Sequence, residues 1–300
     1  MKNIFTTLAA ILIVAIMACF ISSCGKQEKP AGKIGVATTI LPQAEFVRNL
    51  GGNKVEVTVM VPPGANLHIY EPTPAQMKEL ARAKLYVMTG SGVEFELAWM
   101  DKIIQSNKNL VVVDCSKGIQ LIEMKEHNHE DIKGTEKEPY HGKDPHIWLS
   151  PKNAKIMVEN IYVGLVKVDP VNKDFYNQNK IKYLQQLDKL NKKIKDGLKD
   201  IQNRNFMVFH PAWGYFAKDY NLKQLPVEIE GKEPSAKDIS YLIDIARKNN
   251  IKVVFVSPQF NPKSAAVIAQ GIGGKIVFID PLAENYIQNM LLILDKFSNL

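Results

Sequence analysis

Apolar residues recur along the chain in two rhythms. Short β-rich runs, KIGVATTI (33–40), VEVTVMV (55–61), KLYVMTG (84–90) and NLVVVD (109–114), alternate with stretches at helical spacing. Thr73, Pro74 and Gln76 spell a helix start, with an N-cap, a first-turn proline and a capping-box partner. Ser150–Pro151 and Asp169–Pro170 predict two more starts, and Ser235 with Asp238 a fourth. After Asp169–Pro170 the pattern changes: Ile181, Leu184, Leu187, Leu190, Ile194, Leu198 and Ile201 follow at three- and four-residue steps with polar residues between them. That stripe predicts one amphipathic helix about 45 Å or more in length, a strut between two lobes. It is short for a coiled-coil seam. Beyond it NFMVFH (205–210), KQLPVEIE (223–230), KVVFVS (252–257) and KIVFID (275–280) resume the alternation. The expectation is an α/β fold of two (β/α) lobes, each with a mostly parallel four-stranded sheet, joined by one long α-helix.

The first residues follow a different rule. Lys2 precedes an uninterrupted apolar run of 14 residues, 8–21, which suits a signal-peptide core and falls short of the ~20 residues that span a bilayer. ISSC (21–24) then resembles the lipobox of bacterial lipoproteins, which implies cleavage before Cys24 and acylation of that cysteine. The polar GKQEKPAG that follows reads as a tether. The predicted divisions are a signal peptide 1–23, a tether 24–32, an N-terminal lobe 33–168, a linking helix 169–203 and a C-terminal lobe 204–300. Of the three cysteines, Cys19 would leave with the signal and Cys24 would be acylated. Cys115 is then left alone as a small buried hydrophobe, with no disulfide framework.

Composition changes this picture little. At 300 residues, 46% hydrophobic and 23% charged, the chain can bury a full core. The net charge of +7 raises nucleic acid as a partner. Its basic residues, however, are interspersed with acidic ones, as in NKKIKDGLKD (191–200), and form no aromatic-lined patch, which argues against it.

The chemistry lies in six histidines: His68, His127, His129, His141, His146 and His210. His68 lies in the loop after VEVTVMV, His146 in DPHIWLSP just before a helix start, and His210 at the close of a strand in FHPAW. Asp280 ends KIVFID in the same way. Ligands of open α/β sheets bind at the carboxyl ends of strands, and two candidates come from each half, which suits a cleft between lobes. Three imidazoles and a carboxylate form a set that zinc takes tetrahedrally. Prolines at 62, 63, 72, 145, 211 and 281 would stiffen the backbone around each candidate.

PPGANLHIYEPTP, DPHIWLSP, FHPAWGYFA, GKEPSA and FIDPL occur in this order over nearly everything from residue 33 onward. By these motifs the chain resembles the zinc/manganese-type metal-binding lipoproteins, the solute-binding receptors of bacterial ABC importers. The resemblance implies a metal held between two lobes, and it assigns ligand roles to His68, His146, His210 and Asp280. It implies a monomer anchored outside the cytoplasmic membrane through Cys24, delivering its ion to an importer permease, with no enzymatic activity. Histidine rather than carboxylate at the third position, His210, points to Zn2+ over Mn2+ or Fe2+, because a third imidazole softens the site. The 123–143 segment, with His127, His129, His141 and six acidic residues, is either a solvated loop or an auxiliary metal-capture loop. Trp148, Trp213 and Tyr215 are expected in the cleft wall and core, and Glu71 is a candidate to orient His68. Two other classes compete: a secreted zinc hydrolase, for which no HExxH is present, and a surface adhesin, for which there is no adhesive repeat.

Overall fold

The computed structural model describes residues 32–124, 142–229 and 231–298. All eight expected strands form, in two four-stranded sheets. The first orders β1 (Ile34–Thr38), β2 (Val55–Val59), β3 (Leu85–Met88) and β4 (Val111–Asp114) as β2-β1-β3-β4. The second orders β5 (Asn205–Val208), β6 (Lys223–Pro226), β7 (Val253–Val256) and β8 (Lys275–Phe278) as β6-β5-β7-β8, the same topology repeated. Every pairing between these strands is parallel rather than mostly so. Parallel strands need crossovers, and helices supply them. Pro226, which cannot donate to a ladder, sits at the end of an edge strand.

The helices are α1 (Leu41–Gly51), α2 (Pro74–Leu80), α3 (Glu94–Ser106), α4 (Pro151–Val168), α5 (Lys173–Gly197), α6 (Gly214–Asp219), α7 (Ala236–Lys248), α8 (Lys263–Gly271) and α9 (Tyr286–Ser298). Three starts form as the sequence predicts. Thr73 and Gln76 make the capping box of α2, Ser150 caps α4 by accepting from the Asn153 N–H, and Ser235 with Asp238 boxes α7. The fourth differs: Asp169–Pro170 opens a 3-10 turn, Pro170–Asn172, and α5 begins only at Lys173. The Asp169 carboxylate accepts instead from Asn172 Nδ2 at 2.6 Å and Tyr176 Oη at 2.5 Å.

The long helix is also shorter than expected, 25 residues and so about 37 Å. It stops where Gly197 lets Leu294 of α9 approach, and Arg204 takes the Leu198 and Lys199 carbonyls that a further turn would have used. Its buried stripe runs through Tyr176, Tyr183, Leu187, Leu190 and Ile194. Ile181 is 48% exposed instead, because the tyrosines bury their rings while their hydroxyls reach carboxylates, Tyr183 bonding Glu45 at 2.6 Å. The helix packs on α1, α4 and α9. One continuous apolar core therefore takes in the first sheet, Leu187 and Leu190 of α5, and Phe206 and Phe255 of the second sheet. A smaller core lies on the second sheet's other face, around Met207, Val254 and Ile268. No helix among the described residues is long and apolar enough to cross a membrane.

Candidate metal centre

The loops that follow the strands carry the site. His68 lies between β2 and α2, in a segment pinned at both ends. Gln76 of α2 donates to the Val59 and Met60 carbonyls at 3.1 and 2.7 Å, and the Asn66 side chain accepts the His68 N–H at 2.9 Å. His210 follows β5. His146 precedes the short 3-10 turn Ile147–Leu149 that leads to α4. The resulting cavity, about 20 Å3, is lined by the three imidazoles together with Trp148, Gln259 and Phe260.

The three rings turn their Nε2 atoms toward one another. His210 Nε2 is 3.1 Å from His68 Nε2 and 3.2 Å from His146 Nε2. Two ligands of a tetrahedral zinc at 2.0–2.1 Å stand about 3.3–3.4 Å apart, so the set is already near a ligand spacing. Each Nδ1 faces a carboxylate: His68 to Glu94 at 2.7 Å, His146 to Asp144 at 2.9 Å, His210 to Glu228 at 2.7 Å. An ionised carboxylate only accepts, so each Nδ1 carries a proton, and a ring with its single proton there turns a bare Nε2 lone pair inward. Three lone pairs converging without a donor repel, and a cation relieves them. Carboxylates behind metal-binding imidazoles set the tautomer in this way.

Electrostatics favour the neutral ring at His210. Burial lowers the pKa of His210, against the raising pull of its Glu228 hydrogen bond, and the neighbouring histidines lower it further, so the neutral form is favoured. At Glu94 burial works upward, but the hydrogen bond and charge of His68 outweigh it and hold the carboxyl below its ordinary range. Side-chain exposure is 22% at His68 against 3% at His146 and 9% at His210, so an ion approaches from the His68 side.

Behind His146 the support is elaborate. Asp144 Oδ1 accepts from both the backbone N–H and Nδ1 of His146. The Tyr215 hydroxyl donates to the Asp144 carbonyl at 2.9 Å and accepts from the Ile122 N–H at 3.3 Å. Burial first, with the Asp144 charge adding, pushes Tyr215 up to about 12, so it remains a donor at neutral pH. Gly214 has no Cβ because one would collide with the Asp144 carboxylate. The neck of the 123–143 segment pairs Glu123 with Lys143. His127, His129 and His141 lie outside the described residues, as does Cys24.

Some expectations shift and others stand. Glu71 does not orient His68; Glu94, at the start of α3, does. Trp148 lines the cavity and donates from Nε1 to the Pro281 carbonyl at 2.8 Å, whereas Trp213 is core, packed edge-on against Phe216. Cys115 is fully buried. Asp280, the fourth expected ligand, is not part of the group formed by the three histidines, whose ligand atoms all lie within 4.8 Å of one another. Its Oδ1 accepts from Gln259 Nε2 at 2.8 Å and the Leu282 N–H at 2.9 Å. The sequence reading missed Gln259 and Phe260, which stacks on His210 at 4.8 Å. Their signal was SPQF, a turn at the carboxyl end of β7, the same kind of address that marked His68, His210 and Asp280.

Known proteins share this sequence pattern and fold. The family model of ZnuA, the periplasmic component A of zinc-uptake complexes, matches residues 36–300. The ZnuA high-affinity zinc uptake system protein of Bacillus subtilis is 34% identical over 284 residues, 94% of this chain and 88% of that protein. The zinc-binding lipoprotein AdcA of Streptococcus pneumoniae is 27% identical over 295 residues, and the match spans only 58% of its length. A crystal structure of ZnuA superposes with a TM-score of 0.82 at 38% identity, covering 89% of this chain and 98% of that one. A parallel two-sheet fold with convergent imidazoles and a match over residues 36–300 lead to one conclusion: the chain belongs to the ZnuA family of periplasmic zinc-uptake components.

Proposed function

We propose that this chain is an extracytoplasmic receptor that captures one Zn2+ on His68, His146 and His210, with Asp280 as the fourth expected ligand, and delivers it to the permease of an ABC importer. The observation that carries the reading is the convergence of three Nε2 atoms, each ring with a carboxylate behind its Nδ1. Three imidazoles form a borderline-soft set that suits zinc better than manganese, which ranks lowest in intrinsic affinity. The family is a binding component of uptake and not an enzyme.

In this reading the residues 33–168 and 204–300 act as lobes, with 169–203 as the link between them. An ion entering past His68 would meet the two buried imidazoles with their Nε2 atoms already turned toward each other. Acyl chains on Cys24 would keep the receptor beside its permease, as a monomer. The test is metal content and zinc affinity of His68→Ala, His146→Ala and His210→Ala, with Mn2+ as competitor. We expect one zinc per wild-type chain and a sharp loss in each variant. Undiminished one-to-one binding in all three would overturn the assignment. For the anchor, radiolabelled palmitate should enter the wild type and fail to enter Cys24→Ala.

A further inference from the structure

A lysine precedes every strand of the first sheet: Lys33 before β1, Lys54 before β2, Lys84 before β3 and, with two residues between, Lys108 before β4. Parallel strands start at one edge of their sheet, so these four cations share its amino rim, opposite the loop after β2 that carries His68. Lys84 is tied into the rim on both sides. Its N–H donates to the Gly35 carbonyl at 2.8 Å, and its carbonyl accepts from the Val111 N–H at 3.0 Å. The corner between α4 and α5 joins the same rim. Lys54 Nζ lies 6.0 Å from the centre of the Phe175 ring, and Asn179 Nδ2 donates to the Leu50 carbonyl at 3.0 Å. That corner carries Lys167 and Lys173 on either side of Pro170–Val171, and Val171 is 86% exposed.

These charges are available to a partner. Lys33, Lys84, Lys108, Lys167 and Lys173 are exposed, and none of them forms an ion pair among the described residues. Of the acids nearby, Glu79 pairs with Arg82 and the Asp169 carboxylate accepts from Asn172 and Tyr176, while Glu56 and Asp174 are exposed. The rim of the second sheet is also basic, but Arg204 and Lys252 there donate to backbone carbonyls. The 25 residues of α5, about 37 Å, separate the two rims: Phe175 meets Lys54 at one, and Arg204 reaches the Leu198 carbonyl at the other. Connectivity chooses between them. Cys24 lies ten residues before Ile34, a span of at most about 36 Å, and about 16–19 Å for a flexible tether. An anchor on Cys24 would therefore keep the first rim within about two Debye lengths of a bilayer at physiological salt.

We propose that the lysine rim of the first sheet docks on the anionic phospholipid headgroups of the membrane that anchors Cys24. The proposal rests on the anchor reading above. Each lysine near an anionic surface strengthens association about fivefold, so the exposed lysines together hold a domain that the tether already keeps close. The two strands nearest the tether, β1 and β2, are five residues long, which sets the loop carrying His68 about 15 Å farther from the bilayer than the rim. The docked receptor thereby holds its metal site off the headgroups, where cations arrive from solution.

The experiment footprints the lipidated receptor on vesicles of phosphatidylcholine alone, or of phosphatidylcholine with about 30% phosphatidylglycerol. A water-soluble acylating reagent labels exposed lysines, and mass spectrometry reads the rate at each. On the anionic vesicles Lys84, Lys108, Lys167 and Lys173 should label about fivefold or more slowly, with Lys223 and Lys275 of the second rim unchanged. Raising NaCl to about 0.5 M should abolish the difference. In Lys84→Glu/Lys108→Glu, Lys167 and Lys173 should lose their protection while zinc binding stays as in wild type. Equal rates on both kinds of vesicle, or protection of Lys223 and Lys275 in place of the first rim, would overturn the proposal alone. A receptor that neutral vesicles fail to retain would overturn the anchor reading, and the proposal with it, so the two failures are distinguishable.

Discussion

Replacing Glu228 by alanine tests whether the acids behind the imidazoles set their readiness for metal. Glu228 and His210 have side-chain exposures of 7% and 9%, and their hydrogen bond is 2.7 Å long. Water therefore replaces the lost partner poorly. A buried hydrogen bond to a charged group is worth about 1.5–3 kcal/mol, but most of that is present with or without the ion. Only the strengthening that follows when zinc draws electron density from the ring counts toward affinity, together with the lost tautomer preference. Removal of such a partner typically weakens metal binding about 10–100-fold, or about 1.4–2.7 kcal/mol. A second effect runs the other way. The Glu228 hydrogen bond and charge raise the His210 pKa against its burial, so their loss lowers that pKa further. Protons then compete less with zinc, and the acid limb of the binding curve moves to lower pH even as affinity at about pH 7.5 drops. Chelator competition from about pH 8 to pH 5 reads both. An acid limb that moves up, or affinity at about pH 7.5 within about twofold of wild type, would refute the reasoning.

Other predictions follow from the same structure. Gly214→Ala drives a Cβ into the Asp144 carboxylate, and overpacking of this kind costs about 1–3 kcal/mol; calorimetry should show a lower Tm, with weaker zinc binding through His146. Zinc at about 100 times its Kd should add about 2.7 kcal/mol of stability, raising Tm by about 5–10 °C, and a chelator should reverse it. Burial raises the pKa of Glu96, only partly offset by hydrogen bonds from Thr39, Thr89 and Gly90. The folded state then holds this proton more tightly than the unfolded chain, so stability present below the ordinary carboxyl pKa is lost as pH rises through the folded one. Glu96→Gln should flatten that limb in denaturant titrations across the acid range, and an unchanged slope would contradict it.

Local information decided much of this protein. β-rich runs such as VVFV (253–256) were legible because parallel strands are covered on both faces, and the Thr73–Gln76 and Ser235–Asp238 boxes because capping is settled within one turn. His68 and His210 were legible for the related reason that open α/β sheets place ligands at strand ends. Asp144, two residues before His146, was within reach of the same reasoning.

What sequence could not decide was which groups face one another. Glu94 lies 26 residues from His68 and Glu228 lies 18 from His210, and only the crossover paths bring them together. The strut's end depended on Leu294 arriving from α9 and on Arg204 claiming its last carbonyls. Ile181 joined the apolar stripe by spacing, yet tyrosines took its place because their hydroxyls found acids across the core. Asp280 reads as a ligand by its position at a strand end, but only the fold shows that its Oδ1 also meets Gln259 and the Leu282 N–H. Spacing fixes where a side chain leaves the backbone; the direction of its hydrogen bonds depends on neighbours from distant segments, and that only the tertiary structure settles.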